Sequence, residues 1–222
     1  MNSLDYKEAL KFDKRGFFKY YYSLINKKEL IFFTFISKND YNLRIVKIAL
    51  FLISLSLYFT INSFFFVDEK IHIIHENKGI FNLLFQLPQI LYSTLISVSS
   101  NFVIKVLALS ESNLLKFKKH NKNPEINNFI NLIKFLKIKI FIFFIIGFFF
   151  LLFFWYFISA FCAVYKNTQI IYLKDCLISF CLSMIYPFLI NLIPGIFRIP
   201  SLRSKKKDKI CIYKLSQLIA LI

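Results

Sequence analysis

The 222-residue chain is 57% hydrophobic and 18% charged, with 30 Phe against four Gly and five Pro. Soluble domains run to about 45–50% apolar and about 25% charged, so this composition excludes both an ordinary soluble domain and a disordered linker. The formal charge is +17, but Lys and Arg border apolar runs instead of forming one solvated face. That arrangement argues for membrane insertion and anionic lipid, and against a nucleic-acid partner.

Residues 5–36 read as a lead-in. Phe17, Tyr21 and Leu24 recur at i, i+4 and i+7, with Phe18, Tyr22 and Ile25 one step behind. That spacing predicts a helix with a wide apolar stripe, suited to the membrane interface. The run 30–36 is too short to span. No stretch before residue 40 has the apolar length of a cleavable signal, so the first span is expected to serve as the insertion signal.

Four apolar runs follow at 45–67, 88–109, 140–164 and 177–197. Each has roughly the ~20 residues that cross a hydrocarbon core about 30 Å thick. Lys47 and Lys105 lie near run ends, where their stems let the ammonium groups snorkel back to the interface. The second run is the most polar, with Ser93, Thr94, Ser97, Ser99, Ser100 and Asn101. Hydroxyl residues in a span mark helix–helix contact, so this run is expected to be the inner helix. The third is almost purely Phe, Ile and Leu, with Trp155 and Tyr156 towards one end as an interfacial anchor. The fourth carries Pro187 near its middle, which predicts a kink.

The intervening segments orient the chain. Residues 1–44 hold nine Lys and Arg, 110–139 hold seven and 198–222 hold seven, whereas 68–87 and 165–176 hold two each. Cytoplasmic segments carry the Lys/Arg excess, so both termini and the basic loop 110–139 are expected in the cytoplasm. The tail spaces Cys211, Ile212, Leu215, Leu218, Ile219 and Ile222 as a helical stripe. It follows Lys205, Lys206 and Lys207 and is interleaved with Lys209 and Lys214. These five lysines are the expected contacts to anionic lipid at the cytoplasmic face.

Chemistry has few carriers. His72 and His75, with Asp68, Glu69 and Glu76, have a spacing that places both imidazoles on one side of a helical turn, which makes them candidate metal ligands. The plain alternative is a solvated outer loop. Cys162 and Cys176 flank the short second outer loop, where an oxidising compartment would allow a disulfide; otherwise they read as small apolar residues. Asp175 is an acid at the outer end of the fourth span. No nucleophile–base pair, Gly-rich phosphate loop or cofactor motif is present, so neither catalysis nor a cofactor is expected. Asn62, Asn101, Asn191 and Pro187 are the polar or helix-breaking features able to mediate contacts in a bundle. In an oligomer they are also the features able to line a pore.

The stretches Tyr20-Tyr21-Tyr22-Ser23-Leu24, Phe59-Thr60-Ile61-Asn62, Gln89-Ile90-Leu91-Tyr92-Ser93 and Phe154-Trp155-Tyr156 carry a resemblance. So do Cys162-Ala163-Val164-Tyr165-Lys166-Asn167-Thr168-Gln169, Tyr186-Pro187-Phe188 and Ile193-Pro194-Gly195-Ile196-Phe197-Arg198-Ile199-Pro200. Together they resemble the multi-pass C-terminal membrane region of larger protist transmembrane proteins to which no activity is assigned. The resemblance implies a membrane region of a larger protein and says nothing of chemistry.

The expected fold is an all-α integral membrane four-helix bundle with amphipathic interfacial helices at both cytoplasmic ends. Residues 1–44 form a juxtamembrane segment, 45–199 the four-span region and 200–222 a basic tail. The expected function is a structural, anchoring or protein-interaction module. Its partners are the bilayer and other membrane subunits or domains. The alternative is a subunit of an oligomeric channel or transporter.

Overall fold

The computed structural model describes residues 4–37, 40–78, 80, 82–120, 126–203 and 209–220, and every element among them is helical. In chain order the helices are α1 (Tyr6–Phe12), α2 (Phe17–Lys28), a π-helical turn (Phe32–Ile36), α3 (Arg44–Ser63), α4 (Asp68–Glu76) and α5 (Leu83–Ala108). Then come α6 (Glu111–His120), α7 (Ile126–Val164), a 3₁₀ turn (Lys166–Thr168), α8 (Gln169–Ser183), α9 (Tyr186–Ile190), α10 (Leu192–Arg203) and α11 (Ile210–Ile219). Four stretches are long and apolar enough to cross a membrane: Arg44–Ser63, Leu83–Ala108, Ile126–Val164 and Lys166–Arg203.

The structure divides into two compact units, 38–183 and the paired ends 1–37 and 184–222. In the unit 38–183, α3 packs against α5, α7 and α8, and α5 also meets α7 and α8. The most buried helix is α3, with 67% of its apolar window covered against 22% for α5. The inner helix is therefore α3, not the polar second run as expected. The physical reason is local: Thr94 Oγ1 and Ser99 Oγ donate to the carbonyls four residues back, Ile90 and Leu95, at 2.6 and 2.9 Å. Hydroxyls satisfied by their own helix do not require a central position. Only one edge of α5, with Ser93, Thr94 and Ser97, is buried.

The spans differ from the apolar runs at their ends. α5 starts at Leu83, capped by Asn82 Oδ1, which accepts from Phe85 N at 3.3 Å, so Pro88 falls inside the helix. Segment 68–87 is not a plain loop. Asp68 and Glu69 in the first turn of α4 and His75 in the last complement its dipole. Segment 110–139 is not a plain connector either. Asn42 Oδ1 accepts from Ser110 N and Glu111 N at 2.9 and 3.2 Å and caps α6, and α7 begins as early as Ile126. Lys47 is buried, its ammonium paired with Asp40 at 2.9 Å on the N-terminal side of α3. Gly147 allows α7 to approach α3, since a Cβ there would stand 2.9 Å from Ile53 Cδ1.

In the unit formed by the chain ends, α2 packs on the π-helical turn, α9 and α10, and α11 packs along α10 and α1. Gly195 sets the spacing of α10 and α2: a Cβ there would lie 2.7 Å from Phe17 Cε2. Tyr20, Leu24 and Ile199 form one buried cluster, with Phe17 and Ala220 against it, and Tyr6, Ala9 and Tyr213 form another. Helix breaks flank α9, at 184–185 and at Asn191. Pro187 sits at the start of α9, where its missing N–H is tolerated.

Candidate functional site

Two buried polar clusters stand out, one in each unit. In the unit 38–183, residues at the C-terminal end of α3 and the N-terminal ends of α4, α5 and α8 meet in a hydrogen-bonded network. Asn62 is fully buried and holds its own helix through Nδ2 to Tyr58 O at 3.2 Å, while its Oδ1 accepts from Gln89 Nε2 at 3.0 Å. Gln89 Oε1 in turn accepts from the Lys70 ammonium. One turn away, Gln86 Nε2 donates to Asp175 Oδ2 at 2.6 Å, and Tyr172 OH donates to Phe59 O at 2.8 Å.

Gln86 and Gln89 lie three residues apart, on one face of α5, so both amides point at α3 and α8. Burial pushes the Lys70 ammonium below its usual pKa, and the Asp175 charge opposes that fall. Aromatic packing of Phe66, Phe161, Tyr165 and Tyr172 adjoins the network, with Phe66 and Tyr172 centroids 5.3 Å apart. Ser54 Oγ donates to Asn101 Oδ1 at 2.8 Å and ties α3 to α5 nearer the other end.

In the unit of the chain ends, Arg198 is fully buried on α10. Its guanidinium lies over the Tyr20 and Tyr213 rings, 4.9 and 4.8 Å from their centroids. Asp13 accepts from Arg198 Nη2 at 2.9 Å and from Arg15 Nε and Nη2 at 2.7 and 2.8 Å. Burial alone would raise the Asp13 carboxyl; hydrogen bonds and charge from Arg15 and Arg198 outweigh it and lower its pKa to about 2. Burial pushes the phenols of Tyr20 and Tyr213 up against the opposing pull of Arg198. Leu4 O accepts from both Tyr213 OH and Gln217 Nε2, at 2.8 and 2.7 Å, fastening α11 to the N-terminus. The arrangement is a clamp that joins four segments of sequence through one cation.

The residues singled out from sequence fall differently. His72 and His75 are exposed on α4, His72 Nε2 lies 3.9 Å from Glu76 Oε1, and Asp68 accepts from Tyr165 OH at 2.8 Å. Among the described residues no three His, Cys, Asp or Glu gather as a metal-ligand group. Cys162, Cys176, Cys181 and Cys211 are free thiols. Asn191 is buried between α9 and α10; its Nδ2 donates to Pro187 O at 2.7 Å, and its Oδ1 has no hydrogen-bond partner.

On α11, Tyr213 and Ser216 are buried, whereas Cys211, Ile212, Leu215, Leu218 and Lys214 are exposed. Lys209 directly precedes α11 and makes no side-chain capping hydrogen bond there. Lys205, Lys206 and Lys207 lie outside the described residues.

Comparison with family models, curated proteins and solved structures returns no match.

Proposed function

We propose that the chain is a multi-pass membrane module that anchors or organises other proteins, with its four spans forming a bundle and both termini and segment 110–139 cytoplasmic. The observation that carries this reading is how the polar groups of the spans are used. Ser54 with Asn101, Asn62 with Gln89, Gln86 with Asp175 and Tyr172 with the Phe59 carbonyl are satisfied across helices of the same chain. Such pairs hold helices together in lipid, at on the order of 0.6 kcal/mol each. The exposed faces of the third span, including Phe141, Phe148, Phe149, Leu152 and Phe153, suit lipid tails.

The tail extends the same reading. Tyr213 and Ser216 take one face of α11 into the unit and leave Ile212, Leu215 and Leu218 outward beside Lys214. These exposed residues would suit an amphipathic helix in the headgroup layer. Lys209, Lys214 and the preceding Lys205, Lys206 and Lys207 would each contribute about 1 kcal/mol towards anionic lipid.

Reconstitution tests the proposal. The purified chain in liposomes should pass ions no faster than empty liposomes do. A reproducible conductance abolished by Asn101→Leu or Pro187→Leu would replace this reading with that of a channel subunit.

A further inference from the structure

We propose that the first two turns of α7 form a docking face for an acidic amphipathic helix of a partner protein. The inference rests on the reading that residues 140–164 cross the bilayer. Helix α7 is 39 residues long, which at about 1.5 Å per residue makes roughly 58 Å of continuous helix. A bilayer is about 30 Å thick in its hydrocarbon and roughly 40–45 Å with its headgroups, so each headgroup layer is about 5–8 Å deep. Ile126 stands about 21 Å along the axis from Ile140 and Ile133 about 10 Å. An average tilt of about 20° shortens these heights only slightly. The segment 126–133 therefore stands in water.

That watery segment carries an apolar stripe. Ile126, Phe129, Ile130 and Ile133 recur at i, i+3, i+4 and i+7, and they are 78%, 51%, 42% and 38% exposed. On α6 the Phe117 ring lies 6.5 Å from that of Phe129. A stripe of this spacing is the half of a helix pair that receives apolar residues from a second helix. The charge around it selects the partner. Lys134 and Lys137 on α7 and Lys116 and Lys118 on either side of Phe117 are all exposed. A second copy of the chain would set these lysines against their equivalents. A helix with Leu or Ile on one face and Glu at its edges would satisfy both the stripe and the charge.

The test uses the full chain in nanodiscs of neutral phosphatidylcholine. The probe is a fluorescein-labelled synthetic helix with Leu at i, i+3, i+4 and i+7 and Glu on both flanks; its control carries Lys on the flanks. Fluorescence anisotropy should show the acidic peptide binding at least tenfold more tightly than the basic one, less tightly as salt rises, and at least tenfold less tightly to Ile130→Asp/Ile133→Asp. Absence of binding by the acidic peptide, equal affinity for both peptides, or indifference to the double variant overturns the proposal. Dimerisation of the chain that the same double variant abolishes reassigns the stripe to a second copy. Quenching of Ile130→Trp, in a Trp155→Phe background, by brominated lipid reassigns it to the bilayer. Resistance of each variant to carbonate extraction checks membrane integration separately, so failure of the docking face and failure of the membrane reading are told apart.

Discussion

Replacing Asp13 with Asn removes the carboxylate that stands between the Arg15 and Arg198 guanidinium groups. Asp13 is only 7% exposed and Arg198 is fully buried. The carboxylate accepts from Arg15 and Arg198 at 2.7–2.9 Å. Asn retains a hydrogen-bond acceptor but cancels the charge, so Arg15 and the buried Arg198 lose the carboxylate they share. Breaking a buried ion pair from one side costs about 3–5 kcal/mol, because a desolvated charge is left behind. The cation–π contacts of Arg198 with the Tyr20 and Tyr213 rings are present in both proteins and so leave this difference unchanged.

Hydrogen exchange of the full chain in detergent reads the effect locally. A loss of about 3–5 kcal/mol should speed exchange of the protected amides of α2 and α11 by at least roughly a hundredfold, at about 1.4 kcal/mol per factor of ten. The paired change Asp13→Asn/Arg198→Met should recover much of the loss, because an apolar side chain needs no counter-ion. Exchange within twofold of wild type for Asp13→Asn alone would refute the argument that Arg198 depends on Asp13.

The lowered pKa of Asp13 also sets a pH window. Its stabilising contribution should be complete above about pH 4 and fade as pH falls towards about 2, seen as faster exchange in α11 only in that acid range. Gly195→Ala should destabilise α10 against α2 by about 1–3 kcal/mol through overpacking on Phe17, with Phe17→Leu restoring the melting temperature. Gln86→Leu should lower the melting temperature by leaving Asp175 buried without its amide donor, at a cost of about 1–3 kcal/mol, and Gln86→Leu/Asp175→Leu should be milder. In anionic nanodiscs, Leu218→Trp in a Trp155→Phe background should be quenched by brominated lipid. The quenching should weaken in high salt; emission indifferent to the lipid would remove α11 from the membrane surface.

Segment length and hydropathy made the four long apolar helices legible, because a run of about 20 apolar residues has few other uses. Their ends were less so. Residues 83–87 precede Pro88, and a proline marks a helix start, so the sequence hides the early turns of α5. Residues 126–139 are rich in Lys and Asn, and composition hid the periodic Ile126, Phe129, Ile130 and Ile133.

Pairings across long sequence separations left no local trace. Arg198 counted as one of several basic residues bordering a span, and its partner Asp13 is 185 residues away. Asp175 was visible as an acid near a span, but its donor Gln86 lay in the segment read as loop. Within helix α5 the i, i+3 spacing of Gln86 and Gln89 marks a polar face. The hydroxyls of α5 are ambiguous for the opposite reason: Thr94 and Ser99 bond carbonyls of their own helix whereas Ser93 also reaches Tyr58, and a sequence cannot tell these uses apart.

We propose a four-span chain with both ends on the cytoplasmic side. Epitope tags at the N-terminus, at residues 120–125, at residue 168 and at the C-terminus, probed in intact and in permeabilised cells, test it most directly. The residue 168 tag should lie across the membrane from the other three, which share the cytoplasmic side. A C-terminal tag on the same side as residue 168, or an N-terminal tag opposite residues 120–125, would contradict it.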